Sequence, residues 1–149
     1  MEKLTFDSGI KEYQLNGSGV LRFNPNDPNV YARLLDAMDD IQNVEKGLVE
    51  KAKEIPQDDG AAVLRLMAEA DKQMKEILNH VFGGENDFDQ ILGGINVMAV
   101  CDNGERAITN LLNTLMPIIQ EGAERCAKQQ AAAAVAEARL NRAQRRAWK

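Results

Sequence analysis

Between Ala61 and Asn96 the apolar residues Val63, Met67, Ala70, Met74, Ile77 and Val81 recur in steps of 4, 3, 4, 3 and 4. A helix turns once per 3.6 residues, so this spacing puts the six side chains on one stripe. Leu64, Leu78 and Phe82 widen the stripe to a face that water penalises. The helix ends at Phe82-Gly83-Gly84, and a second break follows at Ile91-Leu92-Gly93-Gly94. The rest of the chain is organised around this segment.

Upstream the period changes from helical to two. Leu4 and Phe6 alternate, then Lys11, Tyr13 and Leu15, then Leu21 and Phe23. Asn16-Gly17-Ser18-Gly19 supplies the positive φ of a tight turn, so the pattern predicts a hairpin of Ile10–Leu15 with Val20–Asn24, extended by a strand at 3–7. A lone hairpin is marginal in water and must lie on a helix or pair with another chain. Asp27 is placed to cap a helix, with Pro28 at its first position. Val30, Leu34, Ala37, Met38, Ile41, Val44, Leu48, Ala52 and Ile55 then mark a long amphipathic helix whose carboxylates face water. Pro56-Gln57-Asp58-Asp59-Gly60 breaks it, and Asp58 or Asp59 caps the next. Helices joined by about five residues pack antiparallel.

Downstream, Glu85-Asn86-Asp87 offers caps for one short turn, Phe88–Leu92, and Ile95–Val100 is an apolar stretch too short to assign. From Glu105 the residues Ile108, Leu111, Leu112, Leu115, Ile118 and Ile119 fit a third helix, with a kink expected at Pro117. From Ala123 the chain is alanine-rich, strongly helix-forming and nearly without large residues to bury. The expected fold is mainly α with a small N-terminal β-hairpin: an antiparallel helix pair at about 28–55 and 59–82 plus a long C-terminal helix from about 105. Residues 1–122 form the compact helical part and 123–149 a basic, alanine-rich helical tail.

Charge sharpens that division. Residues 1–122 hold 11 Lys/Arg against 21 Asp/Glu, or −10, while residues 123–149 hold 7 against 2, or +5. An acidic body repels nucleic acid, whereas Arg142, Arg145 and Arg146 suit phosphates. Trp148 is the only aromatic beside them, and the reading favoured for the tail is solubility or protein contact rather than nucleic-acid binding. Helix 105–147 would extend about 60 Å, longer than a domain of this size buries, so its end is expected to dock on another chain or stay free. The hairpin edge offers a second pairing site, and a homo-oligomer is expected.

Reactive chemistry is sparse. No nucleophile elbow, phosphate-cradling loop, dinucleotide fingerprint or zinc-ligand cluster is present. The glycine pairs stop helices, His80 lacks a neighbouring nucleophile, and the carboxylates of the first helix have no calcium-loop spacing. No catalytic, cofactor-binding or metal residues are assigned, and an enzyme is not expected. The N-terminus lacks a basic start followed by an apolar run, and no apolar run reaches about 18 residues, so neither a secretory signal nor a membrane span is expected. Cys101 and Cys126 are accordingly read as reduced thiols.

The order of elements resembles the tail assembly chaperones of long-tailed bacteriophages, in the versions common among phages of Gram-positive hosts. The residues that carry the resemblance are Tyr13-Gln-Leu-Asn-Gly with Val20-Leu-Arg-Phe, the helix ending in Phe82-Gly83-Gly84, Phe88-Asp-Gln-Ile-Leu-Gly-Gly94, Leu115-Met-Pro-Ile-Ile119 and the terminal Asn141-Arg-Ala-Gln-Arg-Arg146. The alanines at 131–136 and Gly94-Ile95-Asn96 depart from the family pattern.

The resemblance implies a non-enzymatic protein in the cytoplasm of a bacterial host, binding the tape-measure protein and keeping it soluble while the tail assembles. A longer form made by ribosomal frameshifting is common in that family. Met38, Met67, Met74, Met98 and Met116 give an adaptable surface for varied helices, although methionines at helical spacing more often fill a core. The residues placed to meet a partner are Met67, Met74, Ile77, Val81, Phe82, Leu112 and Leu115; Arg142, Arg145 and Arg146 are placed to meet an anion. The alternatives are a small phage structural or head–tail connecting protein and a nucleic-acid-binding module acting through the tail.

Overall fold

Asp27 and Pro28 begin the first long helix in the computed structural model, which describes residues 1–147. Asp27 Oδ1 accepts the Asn29 N–H at 2.9 Å, and α1 runs Pro28–Lys53. Asp59 caps the second helix, α2 (Gly60–Phe82), by accepting from Ala62 N–H at 3.1 Å. The two are antiparallel: Arg33 in the second turn of α1 donates from Nε to the Val81 carbonyl at the far end of α2, 2.8 Å away. That bond also satisfies a carbonyl the helix terminus would otherwise leave open.

Ahead of them stands a hairpin, β1 (Lys11–Leu15) with β2 (Gly19–Phe23), in the register Tyr13 opposite Leu21. Asn16 and Gly17 both take positive φ, 50° and 73°, as a type I′ turn requires, and Ser18 N–H donates to the Leu15 carbonyl. The hairpin lies on the helices through its aromatic face. Tyr13 stacks on Phe23, Phe23 meets Phe82 edge-on at 5.0 Å, and Phe82 tilts against Phe88 of the short helix α3 (Phe88–Ile91). Asn86 closes the outer edge of β2, accepting from Arg22 N–H and donating to the Arg22 carbonyl.

The strand expected at 3–7 does not form. Residues 1–10 carry no regular structure and Leu4 and Phe6 are exposed. Alternation names a face but supplies no partner: Asn86 occupies the edge beside β2, and β1 pairs with β2 alone. The Asp7–Gly9 segment instead turns on Asn24, whose Nδ2 donates to the Ser8 carbonyl.

The connection from α3 to the last helix buries Val97 and Met98 and ties them to α2. Val97 N–H donates to Asp71 Oδ1 at 2.7 Å, and Asn96 Nδ2 donates to the Met67 carbonyl. Lys75 joins the same fastening: its Nζ lies 2.9 Å from Asp71 Oδ2 and 2.6 Å from Asp89 Oδ1, with the residue 5% exposed. The last helix, α4 (Ala107–Ala147), has its first amides satisfied from this connection, Ala107 N–H by the Ala99 carbonyl and Ile108 N–H by that of Val97. It continues as one element through Pro117. Ile108, Leu115 and Ile119 enter the core, and at Gly122 the helix backbone passes so close to Pro25 that a Cβ would overlap the Pro25 carbonyl. Beyond residue 126 every described side chain of α4 is exposed.

Candidate helix-binding groove

The side of the α1–α2 pair that the rest of the chain leaves open is a trough. It follows from which residues stand at the seam. Ala37, Gly47 and Ala70 are too small to fill the space between two helix axes some 8–10 Å apart. The result is an open groove of about 710 Å³, floored by Ala37, Val44 and Leu48 of α1 and by Leu66, Ala70 and Ile77 of α2. Its rims carry Asp36 and Asp40 on one side and Glu69 and Glu76 on the other. Arg33 and His80 close one end, and Lys51 stands at the other.

Gly47 is the informative position. A glycine inside a helix costs about 1 kcal/mol against alanine. A Cβ added here would meet nothing within 4 Å. Packing within the chain therefore does not require the glycine. Its effect is to leave room at the groove for something from outside.

Of the residues placed to meet a partner, Met74, Val81, Phe82 and Leu115 are enclosed in the core. They form no surface: Met74, Val81 and Phe82 of α2 and Leu115 of α4 all belong to the one buried cluster. Met67, Ile77 and Leu112 are half-buried against that core, and of the three only Ile77 lines the groove. Leu64, read as part of the buried face, is 67% exposed instead. The groove uses an overlapping line of residues, Leu66, Ala70, Gln73 and Ile77, in steps of 4, 3 and 4, which shares Ala70 and Ile77 with the stripe. That line and the mid-helix Gly47 were the sequence signals for it.

Arg142, Arg145 and Arg146 are exposed near the end of α4, outside the groove, and Trp148 lies outside the described residues. Cys101 is exposed and Cys126 half-buried, and both are free. Among the described residues no group of three or more His, Cys, Asp or Glu is placed to hold a metal ion, and no helix is long and apolar enough to cross a membrane. Among the described residues Lys75 is the one titratable group with a clear shift. Burial pushes its ammonium toward a lower pKa, but the hydrogen bonds and charges of Asp89 and Asp71 outweigh this and hold it above the ordinary lysine value. Chemically the groove offers apolar area flanked by carboxylates, which suits a helix with an apolar stripe and basic neighbours. No family model matches this chain, and comparison with curated proteins and with solved structures gives no match.

Proposed function

We propose that the protein is a non-enzymatic assembly chaperone that holds helical segments of a client, and that the client is a tape-measure protein of a phage tail in the cytoplasm of a bacterial host. The groove between α1 and α2 carries the reading. It has an apolar floor, acidic rims and a glycine with no internal use. A long, largely helical client exposes apolar stripes before it is assembled, and a trough of this kind covers one stripe at a time. The resemblance of the chain to tail assembly chaperones supplies the identity of the client.

The test is co-expression with a tape-measure protein. Wild-type protein raises the client's soluble fraction, and Gly47→Gln, which fills the trough with a better helix former, removes the effect. Circular dichroism and thermal unfolding verify that the variant is folded. A client equally soluble with wild type, with Gly47→Gln and with no added protein overturns the proposal. Retention in purified virions would point to a structural or head–tail connecting protein. Salt-sensitive binding of polyanions that disappears with Arg142, Arg145 and Arg146 would point to the nucleic-acid reading.

A further inference from the structure

The tail of α4 has the complementary surface. From Ala123 to Ala147 there is neither Gly nor Pro, and the helix is unbroken. Ala133, Ala136, Leu140, Ala143 and Ala147 recur in steps of 3, 4, 3 and 4, so they share a narrow apolar stripe. Lys128, Arg139, Arg142 and Arg146 lie along one flank of that stripe, and the other flank is polar, with Gln130, Glu137, Asn141 and Gln144. All are exposed. Residues 128–147 carry five cations against one carboxylate, while the groove carries four carboxylates against Arg33 and Lys51. The dimensions agree as well. The stripe is about 21 Å long and the groove, from Arg33 to Lys51, about 27 Å at 1.5 Å per residue.

We infer that residues 128–147 of one copy occupy the α1–α2 groove of a second copy. The tail cannot reach its own groove: Gly122 is the last buried residue of α4, and an unbroken helix continues outward from there for about 37 Å. Between copies the alanine stripe lies on the Ala37, Gly47 and Ala70 floor, where small residues on both sides let the backbones approach. The basic flank meets the carboxylates of one rim. The inference rests on the groove being a receptor for helices, as proposed above, and it makes the tail a stand-in for the client.

The mass of the full-length protein in solution tests it. At low ionic strength the 16.5 kDa chain associates with rising concentration into species of two or more copies. Raising the salt weakens the association by about tenfold or more, since much of it is between opposite charges. The variant Arg139→Glu, Arg142→Glu, Arg146→Glu is monomeric, and so is Asp36→Lys, Asp40→Lys, Glu69→Lys, Glu76→Lys. Combining both sets in one chain restores association. All seven positions are exposed, and circular dichroism checks folding. Gly47→Gln, monomeric by the same logic, is the second variant should a charge reversal not fold. A wild-type protein that remains a monomer at every concentration overturns the inference, as does association unchanged by these substitutions. A monomer that still solubilises the client would leave the proposed function standing, and an assembly that holds no client would leave only the tail–groove contact.

Discussion

Lys75 shows how much of the fold hangs on single polar groups. It sits beside the apolar stripe of α2 with 6% of its side chain exposed, and joins Asp71, one turn away, to Asp89 of α3. Asp71 is itself bonded to the Val97 amide, so one carboxylate fastens both the α3 region and the connection into α4. Replacing Lys75 with Met leaves the Asp71 charge largely buried without its cation. Breaking a fully buried pair costs 3–5 kcal/mol, but Asp89 is 64% exposed and water screens it. The expected loss is about 2 kcal/mol, read as a lower urea midpoint at unchanged slope. Because the folded-state pKa is raised, this contribution is complete below the unfolded lysine value of about 10.4 and is lost as pH rises through the folded value. The wild type therefore loses this part of its stability above about pH 10.4, and Lys75→Met does not. Asp71 and Lys75 stand one helical turn apart on α2, but the second partner was not legible beforehand, since Asp89 reaches Lys75 only once α3 has folded back. Gly47, by contrast, was visible as a glycine inside a helical pattern, and only the empty space around it gave it a meaning.

At the scale of elements, the helices were legible because caps and periodicity agreed: Asp27 with Pro28, Asp59, and the stop at Gly83 all stand where the pattern places them. The hairpin was legible from Asn16-Gly17 for the same reason. Residues 3–7 were not, because strand alternation names a face but no partner, and Leu4 and Phe6 have no surface to cover and stay exposed. The groove was missed for a related cause. The stripe with the strongest periodicity, Ala70, Met74 and Val81 included, goes to the core, and beside it Leu66 stays half-buried and Gln73 exposed along the groove. The long last helix divides in the same way. Its first part is held by Ile108, Leu115 and Ile119, whereas residues 128–147 have no packing and rely on alanine propensity alone. Amide exchange should report this directly. In dilute protein the amides of 128–147 exchange rapidly while those of α1, α2 and 110–122 are protected; in concentrated protein the tail gains protection and the core changes little. Slow exchange of the tail in a verified monomer would contradict the description of a helix standing clear of the body.

For the whole molecule, the −10 body and +5 tail make a chain whose two parts attract across copies and not within one, because the connecting helix keeps them apart. That arrangement makes the groove a contested site. A client helix and the tail of a neighbour cannot occupy it together, so client binding and self-association are linked by mass action. The consequence can be measured without any client. A synthetic peptide of residues 128–147 carries the same stripe and the same basic flank as the tail, and in excess it should compete for the groove and bring the mass of the full-length protein down to that of a single chain with peptide bound. Such a peptide is only partly helical in water, so part of its binding free energy goes to ordering it, and its affinity falls below that of the tail already held helical by α4. A several-fold molar excess over protein is therefore needed, whereas a scrambled peptide of equal charge that breaks the alanine stripe has no effect. That contrast separates a seated helix from general attraction between opposite charges. If both peptides dissolve the assembly equally, charge alone holds it and the floor of Ala37, Gly47 and Ala70 has no part; if neither does, the copies are joined through another surface, and the exposed edge of β1 becomes the place to look.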